Sequence, residues 1–235
     1  MSSSEGPARP SLPSRQMLAD GVYDAVKEQV MNLTIPPGTK INIDQFAREL
    51  QVSNTPLREA LTRLETEGLV TRKNLRGFWT VDVLDEQGLR DYYGVRLLLE
   101  PAGTEAATRG AGQEALAAEL AQTLDQMAQT ARRPALDQDY HVYREFAEAD
   151  ARFHRAIARA SGNALLASIL GGMNAHAHNY RFYFRGGMAP ATVQEHRAVL
   201  DALAGARPAE AATAMRIHLE CARDRLLPLA AAADR

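Results

Sequence analysis

Four polar side chains interrupt the apolar stripes of three separate helical segments, and all four are metal-ligating types. In 137–160 the stripe reads Phe146, Asp150, Phe153, Ile157, and His154 stands one turn beyond Asp150 on the same face. In 189–204 it reads Val193, His196, Leu200, Leu203, and in 207–227 it reads Ala211, Met215, His218, Ala222. Burying such groups unpaired costs about 1–3 kcal/mol each. A shared divalent cation would satisfy them together. Three imidazoles and a carboxylate suit zinc first, with nickel or manganese as alternatives. Taken singly, each histidine reads first as a satisfied core or surface residue, and spacing alone does not bring the three segments together.

An anionic ligand at such a centre would want a cationic partner. Arg96 is a candidate, able to grip a carboxylate with two prongs. The alternative is an i, i+4 ion pair with Glu100. Asn174, His178 and Arg181 share one face of a further helical segment. They line either an effector pocket or a solvated or subunit-facing stripe.

A second set of residues points to DNA. Asn54, Thr55 and Arg58 open a helix that follows a helix and a tight turn. In a helix-turn-helix the second helix enters the major groove and presents its first residues to base edges. Arginine suits guanine, asparagine suits adenine, and threonine suits phosphate or a methyl group. Arg63 lies further along, as a DNA contact or as a stem covering the helix. Arg72, Lys73 and Arg76, with Gly77 after them, mark a hairpin tip without acids, suited to the DNA backbone or minor groove. Trp79 reads as packing within that hairpin. Residues 15–81 carry nine basic and eight acidic side chains, so net charge adds no support.

The elements that must position these groups follow from periodicity and breakers. Residues 1–14 are rich in Ser, Pro and Gly and read as a flexible tail. A helix over 16–33 with Val22, Val26, Val30 and Leu33 inward stops at Pro36-Pro37-Gly38. A second helix starts near Asn42, which has capping-box spacing to Gln45. A third runs from Ser53 or Asn54 to about Glu67, with Leu57, Leu61 and Leu64 inward and Gly68 ending it. Short strands over 69–72 and 78–83 complete a winged helix-turn-helix over 15–83. Beyond it, helices are expected near 85–109, 112–131, 137–160, 163–184, 189–204 and 207–227. The chain is therefore expected to be mainly α, with an antiparallel six-helix bundle over 84–235.

Composition narrows the classes. The 235 residues are 46% hydrophobic and 24% charged, a globular profile. A net charge of −2 excludes a histone-like polycation but not a small basic surface. The lone cysteine, Cys221, excludes an internal disulfide framework and a Cys-rich zinc module. No run reaches the ~20 apolar residues of a membrane helix, and the first residues lack a secretory signal, so a cytoplasmic protein without membrane association is expected.

The segment from Ser53 to Val70, SNTPLREALTRLETEGLV, resembles the recognition-helix signature of GntR-family transcription regulators. Pro36-Pro37-Gly38 and the wing Gly77 also fit it. One departure stands out: the family usually carries a base-contacting arginine where this chain has Asn54. DARFHRAI at 150–157, Ser161-Gly162-Asn163, Glu195-His196 and MRIHL at 215–219 are similar to the FCD effector domain of the FadR subfamily. Six helices in that domain resemble its VanR-like branch. The resemblance implies a regulator, more often a repressor. It implies a metal held by Asp150, His154, His196 and His218, a small organic-acid or sugar-acid effector completing the coordination, and a homodimer on a palindromic operator. The rival class is a metal-dependent hydrolase or other bundle enzyme with an accessory DNA-binding domain. A di-iron bundle would want Glu-x-x-His pairs and a zinc hydrolase a His-Glu-x-x-His motif, and both are absent from the sequence.

Overall fold

The computed structural model describes residues 15–73, 77–133, 140–173 and 189–233, and their contacts divide into two compact units between Thr80 and Val81. The expected tail over 1–14 lies outside the described residues.

In the first unit, Val22, Val26 and Val30 recur about one turn apart and are buried, so Arg15–Met31 closes into α1. Leu33, expected on the same stripe, lies past the helix end with φ 59° and is exposed. The chain has already turned there toward Pro36. Helix α2 is Ile43–Glu49, and the Asn42 side chain accepts the Gln45 N–H at 3.1 Å, the first half of the expected capping box, while the Gln45 side chain donates to Glu49 at 2.8 Å instead of reaching back. Helix α3 is Asn54–Thr66 and buries Leu57, Ala60, Leu61 and Leu64 against α1 and α2. Gly68, at φ 70°, takes the left-handed turn after α3, and the Leu69 N–H returns to the Leu64 carbonyl at 3.0 Å.

Strands β1 (Val70–Arg72) and β2 (Phe78–Thr80) pair antiparallel with Val70 opposite Thr80. They are shorter than the sequence suggests. The wing also gains an edge the sequence did not signal: Lys40 bridges to Trp79, and the Ile41 N–H donates to the Phe78 carbonyl at 2.8 Å. That edge stitches the residues after α1 to the wing.

The second unit is helical. It contains α4 (Glu86–Arg109), α5 (Gln113–Ala131), α6 (Tyr140–Ala160), α7 (Ala164–Gly172), α8 (Ala189–Ala204) and α9 (Pro208–Ala233). Asp85 caps α4 by accepting the Gly88 N–H, and Asn163 caps α7 by accepting the Leu166 N–H. Helix α9 packs along α4 and α8, α5 lies on α6 and α8, and α6 also meets α4 and α7. The interior holds Tyr93, Leu120, Leu124, Met127, Phe153 and Leu203, all below 2% exposed.

Two helix ends differ from expectation. Helix α9 continues through Pro228 to Ala233 instead of stopping at 227, carried by the Ala-rich run 230–233. The segment expected as a helix over 163–184 is described as α7 only through Gly172, and its remainder lies outside the described residues. The count that suggested the VanR-like branch depends on that segment. Among the described residues, no helix is long and apolar enough to cross a membrane.

Candidate metal centre and nucleic-acid interface

Helix α6 carries Asp150 and His154 one turn apart, α8 carries His196, and α9 carries His218. Each lies on a helix face that turns toward the unit's interior, and the packing of these helices brings the four together. His196 is fully buried and His218 is 3% exposed. One ring nitrogen from each of the three histidines lies within 4.8 Å of the others. His154 Nε2 and His196 Nε2 are 3.2 Å apart, and Asp150 Oδ1 is 3.3 Å from His196 Nε2 and 3.9 Å from His154 Nε2.

The opposite ring nitrogens are all occupied. His154 Nδ1 meets Glu100 Oε2 at 2.5 Å, His196 Nδ1 meets the Thr192 carbonyl at 2.8 Å, and His218 Nδ1 meets Glu195 Oε2 at 2.9 Å. A carbonyl or carboxylate oxygen only accepts, so each Nδ1 is the donor. In the neutral rings this leaves each Nε2 as a bare lone pair. Two such lone pairs facing each other at 3.2 Å repel unless a proton or a cation lies between them. Two donors each about 2.1 Å from one ion sit roughly 3.0 Å apart at a right angle and roughly 3.4 Å apart at a tetrahedral angle. The donor set and its spacing therefore fit a first-row divalent ion.

The acceptors behind the histidines are themselves anchored. Buried Arg96 pairs with Glu100 through Nε and lies over the rings of Tyr92 and Tyr93. Arg225 grips Glu195 with two N–H groups, at 2.5 and 2.8 Å. Hydrogen-bonded second partners of this kind fix ring orientation and raise ligand basicity.

The electrostatics follow from burial and these partners. Burial pushes the Glu100 carboxyl up, but Arg96 and His154 outweigh it and hold it well below the ordinary range. For Asp150, burial is likewise overcome by the neighbouring His196, His154 and His218, whose protonation the carboxylate favours. Glu195 is held down to about 2, burial being outweighed by Arg225 and His218. Burial, then repulsion from His196, depresses His218 to about 3.

That last shift predicts a pH dependence. In the metal-free protein the unfolded chain takes up a proton at His218 near pH 6.5, whereas the folded one resists until about pH 3. The contribution is fully present above the unfolded value and is lost as pH falls through that window. Between pH 7 and 5 it amounts to about 2 kcal/mol. Urea denaturation of metal-free protein at the two pH values checks this, with His218→Asn expected to lose correspondingly less.

A cavity of about 140 Å³ opens onto Asp150 and His154 between α4, α6 and α7. Arg96, Glu100, Tyr92 and Arg155 line its polar side, and Ala167, Leu170 and Met173 its apolar side. For Arg96 the geometry shows the Glu100 ion pair, at a position that still borders the cavity. Asn174, His178 and Arg181 lie outside the described residues. Sequence reasoning missed Glu195, Arg225 and Arg155, and treated Glu100 only as a partner for Arg96. The adjacency of Glu195 to His196 was the one available signal, and it concealed that Glu195 serves the histidine of a different helix.

In the first unit, Asn54, Thr55 and Arg58 are all exposed at the start of α3. The Arg58 guanidinium makes no hydrogen bond or ion pair among the described residues. Arg63 instead pairs with Asp20 at 2.7 Å and lies 4.0 Å from the centre of the Tyr23 ring, so its stem clamps α1 to α3. Arg72 bonds Glu65 at 3.0 Å and Thr62 at 2.9 Å, holding the wing to α3. Lys73 is exposed at the wing, Gly77 takes φ 113° beside it, and Arg76 lies outside the described residues.

Comparison with known proteins agrees with both units. Residues 18–79 match the family of bacterial regulatory proteins, gntR family, and residues 91–220 match the FCD domain. The chain is 27% identical over 181 residues to the HTH-type transcriptional regulator YdhC of Bacillus subtilis (strain 168), covering 76% of this chain and 77% of that protein. It is 29% identical over 228 residues to a protein of Escherichia coli (strain K12) described as a regulator of the L-lactate dehydrogenase operon, covering 88% and 85%. A solved GntR regulator from Rhodococcus sp. RHA1 shares the fold, with a TM-score of 0.65 at 19% identity, covering 89% of this chain and 97% of that one. The chain belongs to the GntR family of bacterial transcription regulators, in the FadR-like group that carries an FCD domain, a family of regulators rather than enzymes.

Proposed function

We propose that the protein regulates transcription by binding a palindromic operator as a homodimer, and that a small carboxylate bound at a metal in the helical unit controls that binding. The supporting observation is the convergence of three histidine nitrogens and one carboxylate, each histidine fixed from behind, with Asp150 and His154 also lining a small cavity. Asp150, His154, His196 and His218 would hold the ion, and the ion would supply a Lewis-acidic position for an oxygen donor. Zinc fits the donor set first, and nickel or manganese would also be accepted.

Charge favours an anionic effector. Asp150, Glu100 and Glu195 are offset by only two guanidiniums, Arg96 and Arg225. A divalent ion leaves one positive charge, which a carboxylate neutralises. Arg155 on the cavity wall adds to the pull. Burial, Arg152 and Arg159 lower its proton affinity against the pull of Glu148 and Asp150, and its guanidinium stays charged. The relative associated with an L-lactate dehydrogenase operon is consistent with this class of ligand. A homodimer follows from the small number of base pairs one winged helix reads. The exposed side chains of Val95 and Leu98 on α4 would suit a subunit face. The sign of regulation is taken as repression from the family's commoner role, in the cytoplasm.

The effector shifts DNA binding only through its different affinity for the two states. Elemental analysis of protein purified without chelator or nickel resin, followed by a thermal-shift screen of organic and sugar acids, tests the reading. About one metal per protomer and metal-dependent stabilisation by an acid are expected. Absence of both would reject it. On the DNA side, Arg58→Ala should weaken operator binding by about 1–3 kcal/mol while leaving binding to random DNA little changed. Competition gel shifts with operator and random duplexes measure the difference.

A further inference from the structure

Asn54 does not stand alone at the start of the recognition helix. Its Nδ2 donates to Asp44 Oδ1 at 2.9 Å, linking the first residue of α3 to the first turn of α2. Both side chains are exposed, and with Ala47, Arg48, Gln51 and Val52 they line a shallow groove between the two helices. Ser53, which caps α3, makes no side-chain cap bond, so nothing at the cap competes for the Asn54 amide.

This pairing has a consequence for base reading. A side-chain amide is symmetric enough to turn over: one orientation offers a donor where the other offers an acceptor. A carboxylate removes that freedom, because it only accepts. With Asp44 present, the turned-over amide would set Oδ1 against a negative oxygen. The stable orientation gives one N–H to Asp44, and the second N–H and Oδ1 remain as a donor and an acceptor for a base edge. An adjacent donor and acceptor match the N7 acceptor and N6 donor of adenine. Guanine presents two acceptors there, N7 and O6, so the same amide edge meets oxygen with oxygen.

We propose that Asp44 is a positioning residue that locks the Asn54 amide for adenine, giving this regulator an adenine where an arginine at the same place would select guanine. The proposal rests on α3 being the DNA-reading helix and is independent of the metal centre.

Selection of bound duplexes from a randomised operator library, with the full-length protein and its variants, tests it. Wild type is expected to enrich adenine at the position that Asn54→Arg converts to guanine. Asp44→Ala should lower the adenine preference at that position about tenfold, leave other positions unaltered and leave the protein folded, as thermal denaturation checks. Asp44→Asn, which can still accept the amide hydrogen, should recover part of the preference. An unchanged adenine preference in Asp44→Ala overturns the positioning role. Cytosine at that position in wild type also overturns it, since Asp44 would then be reading the base itself. Enrichment of no sequence by the wild type, with retained binding to random DNA, would instead remove the premise that α3 reads bases.

Discussion

His196→Ala should abolish metal retention. The protein would fall from about one bound ion per protomer to a level indistinguishable from background after dialysis. Removing a hydrogen-bonded partner behind a ligand costs roughly 10–100-fold in affinity. Removing the ligand itself should exceed that, because Asp150 Oδ1 and His154 Nε2 both lie close to His196 Nε2 and lose their shared neighbour. Metal titration with a competing chelator measures the loss. The winged-helix unit has its own core of Val26, Val30, Leu57, Leu61 and Leu64, so operator binding should survive while the response to acids disappears. Metal content equal to wild type would show that the imidazoles are ordinary core residues.

The second large effect is expected at Arg96. Its guanidinium and the Glu100 carboxylate are only 2% and 6% exposed, so each depends on the other for most of its charge compensation. Arg96→Leu leaves Glu100 charged and buried beside His154. Breaking a buried pair from one side costs about 3–5 kcal/mol. The double variant Arg96→Leu, Glu100→Gln removes the orphaned charge and should recover most of that loss in urea denaturation. The single variant should also be rescued in part by metal, because a divalent ion near His154 offsets the freed carboxylate. If the single and double variants unfold alike, the cost lies in lost packing around Tyr92 and Tyr93 and not in the charge.

Several features of the chain were legible because they are local. Asn42 and Gln45 stand three apart, and the cap they form needs nothing beyond that spacing. Gly68 follows a leucine stripe and ends α3 because it enters the left-handed region without a Cβ penalty. The polar interruptions at 150, 196 and 218 are visible because a helix repeats every 3.6 residues, and a histidine on the apolar stripe is conspicuous. The same arithmetic failed at Leu33, where periodicity continued on paper after the helix had stopped. It failed again at Pro228, where proline's usual punctuation did not break α9.

What it could not supply were relations between elements. Arg58 and Arg63 lie on one helix and look alike in sequence. Both are exposed, but Asp20 and Tyr23 on α1 engage the Arg63 guanidinium, whereas that of Arg58 has no hydrogen bond or ion pair among the described residues. Glu100 and Glu195 are ordinary acids on their own helices, until α4 meets α6 and α8 meets α9. Each then holds a histidine from behind.

Residue order by itself determined which faces are oily, where helices begin, and which donors must point inward. Those properties follow from backbone geometry within a few residues. Only the packed structure decided which arginines are spent on protein partners, which acids hold the imidazoles from behind, and that Asp44 reaches Asn54. Each of these depends on residues from 10 to 54 positions apart meeting at hydrogen-bond distance, and helix-on-helix packing sets that distance, not the order of residues along the chain.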